Sequence, residues 1–124
     1  MGAKGSMMII LHSGDYDKIH HALSIALAAA DGEMQCHIFV AYDALRKFTK
    51  AQIDSVPVGS TFSRQLMPLI AKGKETGNLR LYVCASSMSV MGLRREEMID
   101  EFDEFLGLSS FLAMTNNANL SFFI

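Results

Sequence analysis

The chain has 124 residues, of which 50% are apolar, 19% are charged and only 2 are proline; that is the length of one domain and the composition of an ordered, globular one. A formal net charge of -2, with no basic run interleaved with aromatics, argues against a nucleic-acid partner. The longest apolar stretches, residues 7–11 and 23–30 with Ser24 inside, are well short of the ~20 residues that a membrane-spanning helix needs.

Residues 1–6, Met-Gly-Ala-Lys-Gly-Ser, match an N-myristoylation pattern on paper, but a second methionine, Met7, stands directly before the first strand pattern. They read as a flexible leader, leaving 7–124 as a single domain. Lys4 is not followed by an apolar run ending in a small-residue cleavage site, so no secretory signal is visible. The expectation is a cytoplasmic protein whose two cysteines, Cys36 and Cys84, are reduced.

Residues 7–11 form a continuous apolar run ending in His12-Ser13-Gly14-Asp15, the pattern of a strand buried on both faces and followed by a turn, which favours a parallel sheet. Asp15 or Asp17 can cap the next helix, in which Ile19, Ala22, Leu23, Ala26, Leu27 and Ala30 recur at helical spacing until Gly32. Residues 34–41 give a second strand and 42–48 a short helical turn, so the first third is a βαβ unit with a right-handed crossover. Periodicity fades over 49–60, where Pro57 and Gly59 mark a loop long enough to be mobile or to face a partner.

A helix is predicted over 62–71, with Phe62, Leu66, Leu69 and Ile70 on one face and Pro68 placed to kink or end it. Gly73 and Gly77 bracket the return to a strand at 79–84. Beyond it the pattern predicts a helix over 94–100, a short strand over 102–106, a helix over 108–114 and a closing strand over 120–124. Alternating strands and helices over the whole length point to a three-layer α/β/α sandwich.

The stretch 79–92, Leu-Arg-Leu-Tyr-Val-Cys-Ala-Ser-Ser-Met-Ser-Val-Met-Gly, delivers a thiol from the end of a buried strand into a serine-rich turn. In a parallel sheet the strand C-termini share one edge, and ligands bind in the crevice there. If residues 85–90 turn into a helix, its first amides face the Cys84 sulfur and favour the thiolate. Cys84 is then a nucleophile or sulfur carrier, or else a small buried hydrophobe; position alone does not separate the two. His12, ending the first strand, could share the edge as a base or positive neighbour, or be a hydrogen-bonded structural histidine. Arg94 and Arg95 follow closely and could hold an oxyanion, or lie on the surface as ordinary charges. Met88, Met91 and Met98 read as packing, or as an apolar collar for a sulfur-loaded thiol.

Cys36 begins its strand whereas Cys84 ends its own, so the two thiols are expected at opposite ends of the sheet. His20 and His21 point to different sides of a helix, His37 is remote in sequence, and no Cys-x-x-Cys or His-x-x-x-His occurs, so no metal is expected. Neither Gly-x-Gly-x-x-Gly nor Gly-x4-Gly-Lys-Ser/Thr is present, and no cofactor is expected. Acids concentrate over 96–104 and bases over 46–80, the pattern of a solvated face or of electrostatic steering.

The segment Cys84-Ala-Ser-Ser-Met88-Ser-Val-Met-Gly92, the later Phe105-Leu106-Gly107-Leu108 break and the ending Asn119-Leu-Ser-Phe-Phe-Ile124 resemble the DsrE/DsrF-like family of small sulfur-relay proteins. That resemblance implies a mostly parallel five-stranded sheet between helices. It also implies homo-oligomers, often trimers or hexamers, and a cysteine that carries sulfur as a persulfide or thiosulfonate. Only Cys84 falls on the motif cysteine, with Ser86, Ser87 and Met88 as supporting positions. The implied activity is that of a sulfur carrier or sulfurtransferase working with a small TusA-like carrier protein. Some relatives are labelled peroxiredoxins, but Leu81 stands where a Thr-x-x-Cys site needs threonine, and Cys36 is poorly placed to resolve a sulfenic acid. A non-catalytic oligomeric binding or scaffold module of the same fold is the main rival, and ligand or nucleotide binding at the strand edge a third reading.

Overall fold

The computed structural model describes residues 4–60 and 64–124. The predicted leader lies in part, and Phe62 of the predicted third helix wholly, outside the described residues. Lys4 N–H donates to the Glu33 carbonyl at 2.8 Å and Ser6 is already strand, so the described part of the N-terminus is tied to the domain.

Strands β1 (Ser6–Leu11), β2 (Gln35–Val40), β3 (Leu79–Cys84), β4 (Glu104–Leu106) and β5 (Leu120–Phe123) form one sheet in the order β4-β3-β2-β1-β5, and every pairing is parallel. Helix α1 (Tyr16–Asp31) connects β1 to β2, and α3 (Met67–Glu75), preceded by the short α2 (Ala44–Lys47), leads to β3. Two right-handed crossovers that step the same way across a sheet leave their helices on the same face. Accordingly Ile19, Leu23 and Ala26 of α1 and Ile70 of α3 meet Met7, Ile9, Leu11, Ile38, Val40, Leu81 and Val83 in the main core. The last crossover runs the other way, from β4 at one edge to β5 at the other, and α5 (Leu108–Met114) therefore covers the second face. There Phe111 is fully buried against Met8, Phe39, Tyr82 and Cys84. The result is the three-layer α/β/α sandwich with a five-stranded sheet, parallel throughout rather than mostly.

Asp15 caps α1, its carboxylate accepting from the backbone N–H of Asp17 at 2.9 Å and of Lys18 at 3.2 Å. At the other end the left-handed conformation falls on Glu33 (φ 70), one residue past Gly32.

Two local expectations are corrected. Pro68 neither kinks nor ends α3: it sits in the first turn, where its missing N–H has no intrahelical partner to lose, and the helix runs on to Glu75. Residues 94–100 are not a helix but a single 3-10 turn at Arg95–Glu97. Their backbone is claimed from outside: Lys50 N–H donates to the Glu97 carbonyl at 2.8 Å, Ile99 N–H to the Phe48 carbonyl at 3.1 Å, and Thr49 bridges Met98. Those bonds replace the i to i-4 ladder. They also pin the start of the 49–60 loop, where Thr49 and Ile53 are buried.

Candidate functional site

β3 ends on Cys84 and α4 (Ala85–Val90) begins on the next residue, with Cys84 as its N-cap in extended conformation. Two properties of the sequence set this up. The apolar residues Leu81 and Val83 bury in the main core while Tyr82 and Cys84, out of phase by one, face the smaller core on the other side. The short serine-rich helix then turns back over the strand end. The Cys84 sulfur is left at the margin of the smaller core, with the residue 4% exposed.

Cys84 Sγ lies 3.4 Å from Ser86 Oγ. Burial pushes the thiol up, and the hydroxyls of Ser86 and Ser87 together with their backbone amides outweigh it, so that the thiol is held below its ordinary value. Ser87 Oγ has no hydrogen-bond partner, in a residue only 1% exposed. Among the described residues Ser86 Oγ is the donor at hydrogen-bond distance from the sulfur, and the Cys84 side chain accepts no cap bond from the first amides of α4.

The other cysteine behaves oppositely. Cys36 is fully buried in the main core, its S–H within reach of the Ala26 carbonyl at 3.4 Å, and burial pushes its pKa up to about 11. In register it pairs with Leu79, at the far end of the sheet from Cys84.

The remaining sequence candidates disperse. Met88 packs partly buried on the main core, away from the face that holds the sulfur. Arg94 forms ion pairs with Glu96 at 3.4 Å and Glu97 at 3.5 Å, and its backbone N–H donates to the Glu97 carboxylate. Arg95 lays its guanidinium over the Phe105 ring at 4.1 Å from the centroid. Neither arginine is among the groups acting on Cys84. His12 is on the same sheet edge, but β2 separates β1 from β3, a lateral offset of about 10 Å at the usual strand spacing. It lines instead an open crevice of about 770 Å³ between the ends of β1 and β5, with Lys18, His21, Asp43 and Phe123. Acids over 96–104 are largely committed to ion pairs: besides Glu96 and Glu97, Asp100 meets Lys50 and Asp103 meets Lys74 and Arg80. Among the described residues no group of three or more histidine, cysteine or carboxylate side chains could hold a metal.

A contact that sequence reasoning missed lies on the sulfur's face of the sheet. His37 Nδ1 and the Tyr82 hydroxyl are 2.8 Å apart, and burial, aided by the nearby Arg80, lowers the histidine below its usual 6.5. Tyr82 is raised to about 12 by burial and by Glu104 and Asp103, so its hydroxyl stays protonated while it shares this hydrogen bond with the ring. The period-two pattern puts His37 and Tyr82 on one face, but only the β2–β3 register makes them neighbours.

The DsrE/DsrF-like family matches residues 5–122. The chain belongs to that family. It is 28% identical, over 94% of each chain, to the uncharacterized protein YrkE of Bacillus subtilis. In fold it is similar to the crystal structure of the YchN protein from E. coli, with a TM-score of 0.73 at 16% identity and full coverage of both chains. It is similar also to MTH1491, a protein of unknown function from Methanobacterium thermoautotrophicum, with a TM-score of 0.68 at 10% identity over 96% of this chain and 99% of the other. Among the described residues no helix is long and apolar enough to cross a membrane.

Proposed function

We propose that this DsrE/DsrF-like chain is an intracellular sulfur carrier that holds a sulfane sulfur on Cys84. One observation carries the reading: Cys84 caps the start of α4 with Ser86 Oγ 3.4 Å from its sulfur, and the Ser86 and Ser87 groups hold the thiol below its ordinary value against its own burial. A thiolate is the form that attacks sulfur. The Cys84 thiolate attacks the outer sulfur of a donor persulfide R–S–SH. The donor's S–S bond breaks, R–S⁻ leaves, and Cys84 holds –S–SH. An acceptor thiolate then attacks the same outer sulfur, the Cys84 S–S bond breaks, and Cys84 departs as the thiolate that its serines stabilise. Both steps are exchanges at a disulfide-type bond and consume no external oxidant or reductant.

In this reading the acceptor is a small TusA-like carrier protein and the chain works as a homo-oligomer, a trimer or hexamer. Apolar side chains exposed on the second face support such contacts: Leu108, Leu112 and Met114 of α5, and Phe123 of β5, which is 68% exposed. Reaching the sulfur requires displacement of its cover, and α4 and α5, of six and seven residues, are short elements of low intrinsic stability.

The 4% exposure of Cys84 favours the rival scaffold reading, in which the thiol only packs. Incubation with thiosulfate, polysulfide or a sulfur-loaded carrier, followed by intact mass measurement, separates the two. The carrier reading expects an added-sulfur adduct that is absent in Cys84→Ser. No adduct with any of these donors leaves the scaffold.

A further inference from the structure

We infer that Ser87 is a positioning residue kept at the expense of fold stability, whose hydroxyl finds its hydrogen-bond partner only when the sulfur at Cys84 is an anion. The inference deepens the carrier reading and rests on it for its biological meaning.

Ser87 Oγ is the buried side-chain oxygen without a partner among the described residues, and the residue is 1% exposed, so bulk solvent does not reach it. Buried hydroxyls are almost always bonded, and one left open destabilises the fold that contains it. The usual local remedy, donation to the carbonyl four residues back, is what Thr115 does with Phe111 at 2.8 Å and Ser24 with His20 at 2.9 Å. For Ser87 that carbonyl belongs to Val83, inside β3, where the strand ladder with β4 competes for it. The hydroxyl stands on the first turn of the helix that Cys84 caps, three residues past the thiol, and helps to hold that thiol down without completing a bond to it. A thiol is a weak acceptor, and a thiolate or persulfide anion is a strong one. Ser86 is different in kind: it is exposed and already 3.4 Å from the sulfur, so solvent can replace what it gives.

The role fits the hand-off step. When an acceptor thiolate takes the outer sulfur, the electron pair of the broken S–S bond stays on Cys84 Sγ, and a donor at that atom stabilises the leaving group. The Ser87 O–H donates there without transferring its proton.

The test compares the wild type with Ser87→Ala and Ser87→Thr in two measurements. The first is the pH midpoint of Cys84 alkylation by iodoacetamide, read on the Cys84 peptide by mass spectrometry. The second is the Tm at neutral pH. Ser87→Ala should raise the alkylation midpoint while leaving the Tm unchanged or higher, because it removes an unsatisfied polar atom; Ser87→Thr, which keeps the hydroxyl, should hold the midpoint near the wild-type value. An unchanged midpoint in Ser87→Ala overturns the inference, and so does a lowered Tm, which would mark the hydroxyl as structural. If the threonine does not fold, the alanine result decides alone. Alkylation needs no sulfur donor, so a wild type that never loads sulfur would remove the carrier reading and leave the Ser87 result standing on its own.

Discussion

Cys36 and Cys84 stand at opposite ends of neighbouring strands and on opposite faces of the sheet. Cys36 is in register with Leu79, the first residue of β3, and Cys84 is the last. Five residues of strand place them about 16 Å apart along the sheet, more than twice the Cα separation that a disulfide spans.

Oxidation of the monomer therefore should not close a bond between them, and native alkylation should discriminate sharply. Iodoacetamide near neutral pH is expected to label Cys84 and spare Cys36, whose thiol is pushed up to about 11. Peptide mapping after denaturant-free labelling checks this. Equal labelling of both would mean that the sheet opens on the timescale of the experiment.

Stability should fall on mild acidification because of His37. Its folded pKa lies below 6.5, so between that folded value and 6.5 the unfolded chain binds more protons than the folded one. The slope of unfolding free energy with pH is positive wherever the unfolded state binds more protons. The histidine's contribution is thus complete above about 6.5 and is lost as pH falls through the folded value. Chemical denaturation at several pH values should show this loss, and His37→Gln should flatten it.

Phe111 is the keystone of the second face, stacked on Phe39 at 4.8 Å between centroids and tilted against Tyr82 at 5.6 Å. Phe111→Ala should cost about 3–5 kcal/mol in unfolding free energy, the usual range for emptying a buried aromatic site. Since Cys84 belongs to the same cluster, the variant should also raise the rate of Cys84 alkylation. A loss below about 1 kcal/mol would show that α5 is not needed for the fold.

Asp103 ties β3 to the segment that enters β4: its carboxylate accepts the Leu81 N–H at 2.7 Å and meets Lys74, while its own N–H donates to the Leu81 carbonyl at 2.8 Å. Asp103→Ala strands the Leu81 N–H and should cost about 1–3 kcal/mol. Asp103→Asn keeps an acceptor oxygen and should cost less. Equal losses in urea titrations would assign the effect to the lysine pair instead.

The strands were the most legible part of the chain. β1, β2 and β3 are apolar runs because both of their faces are covered, and such runs announce themselves without any knowledge of partners. α1 was equally plain, since its apolar stripe, Asp15 cap and terminal glycine agree. The misreadings have separate causes. Residues 94–100 have helix-compatible composition, and only the pairing of 97–99 with 48–50, invisible along the chain, overrides it. Pro68 was ambiguous because a proline that starts a helix and one that ends it look alike until the flanking backbone is known.

The site divides along the same line. That Cys84 ends a strand, that serines follow it and that Cys36 is remote from it were settled by local pattern and by the direction of a parallel strand. Which of the other candidates share the site was not. His12, Arg94, Arg95 and Met88 are close in pattern or sequence, yet strand order and the pairing of loops carry them to a separate crevice, to their own acidic and aromatic partners and to the opposite core. Sequence alone determined the layered fold and the end of β3 at the thiol, because those follow from periodicity within one element. The burial of the sulfur and of the unpartnered Ser87 hydroxyl was decided by tertiary structure, because burial depends on how elements far apart in the chain pack together.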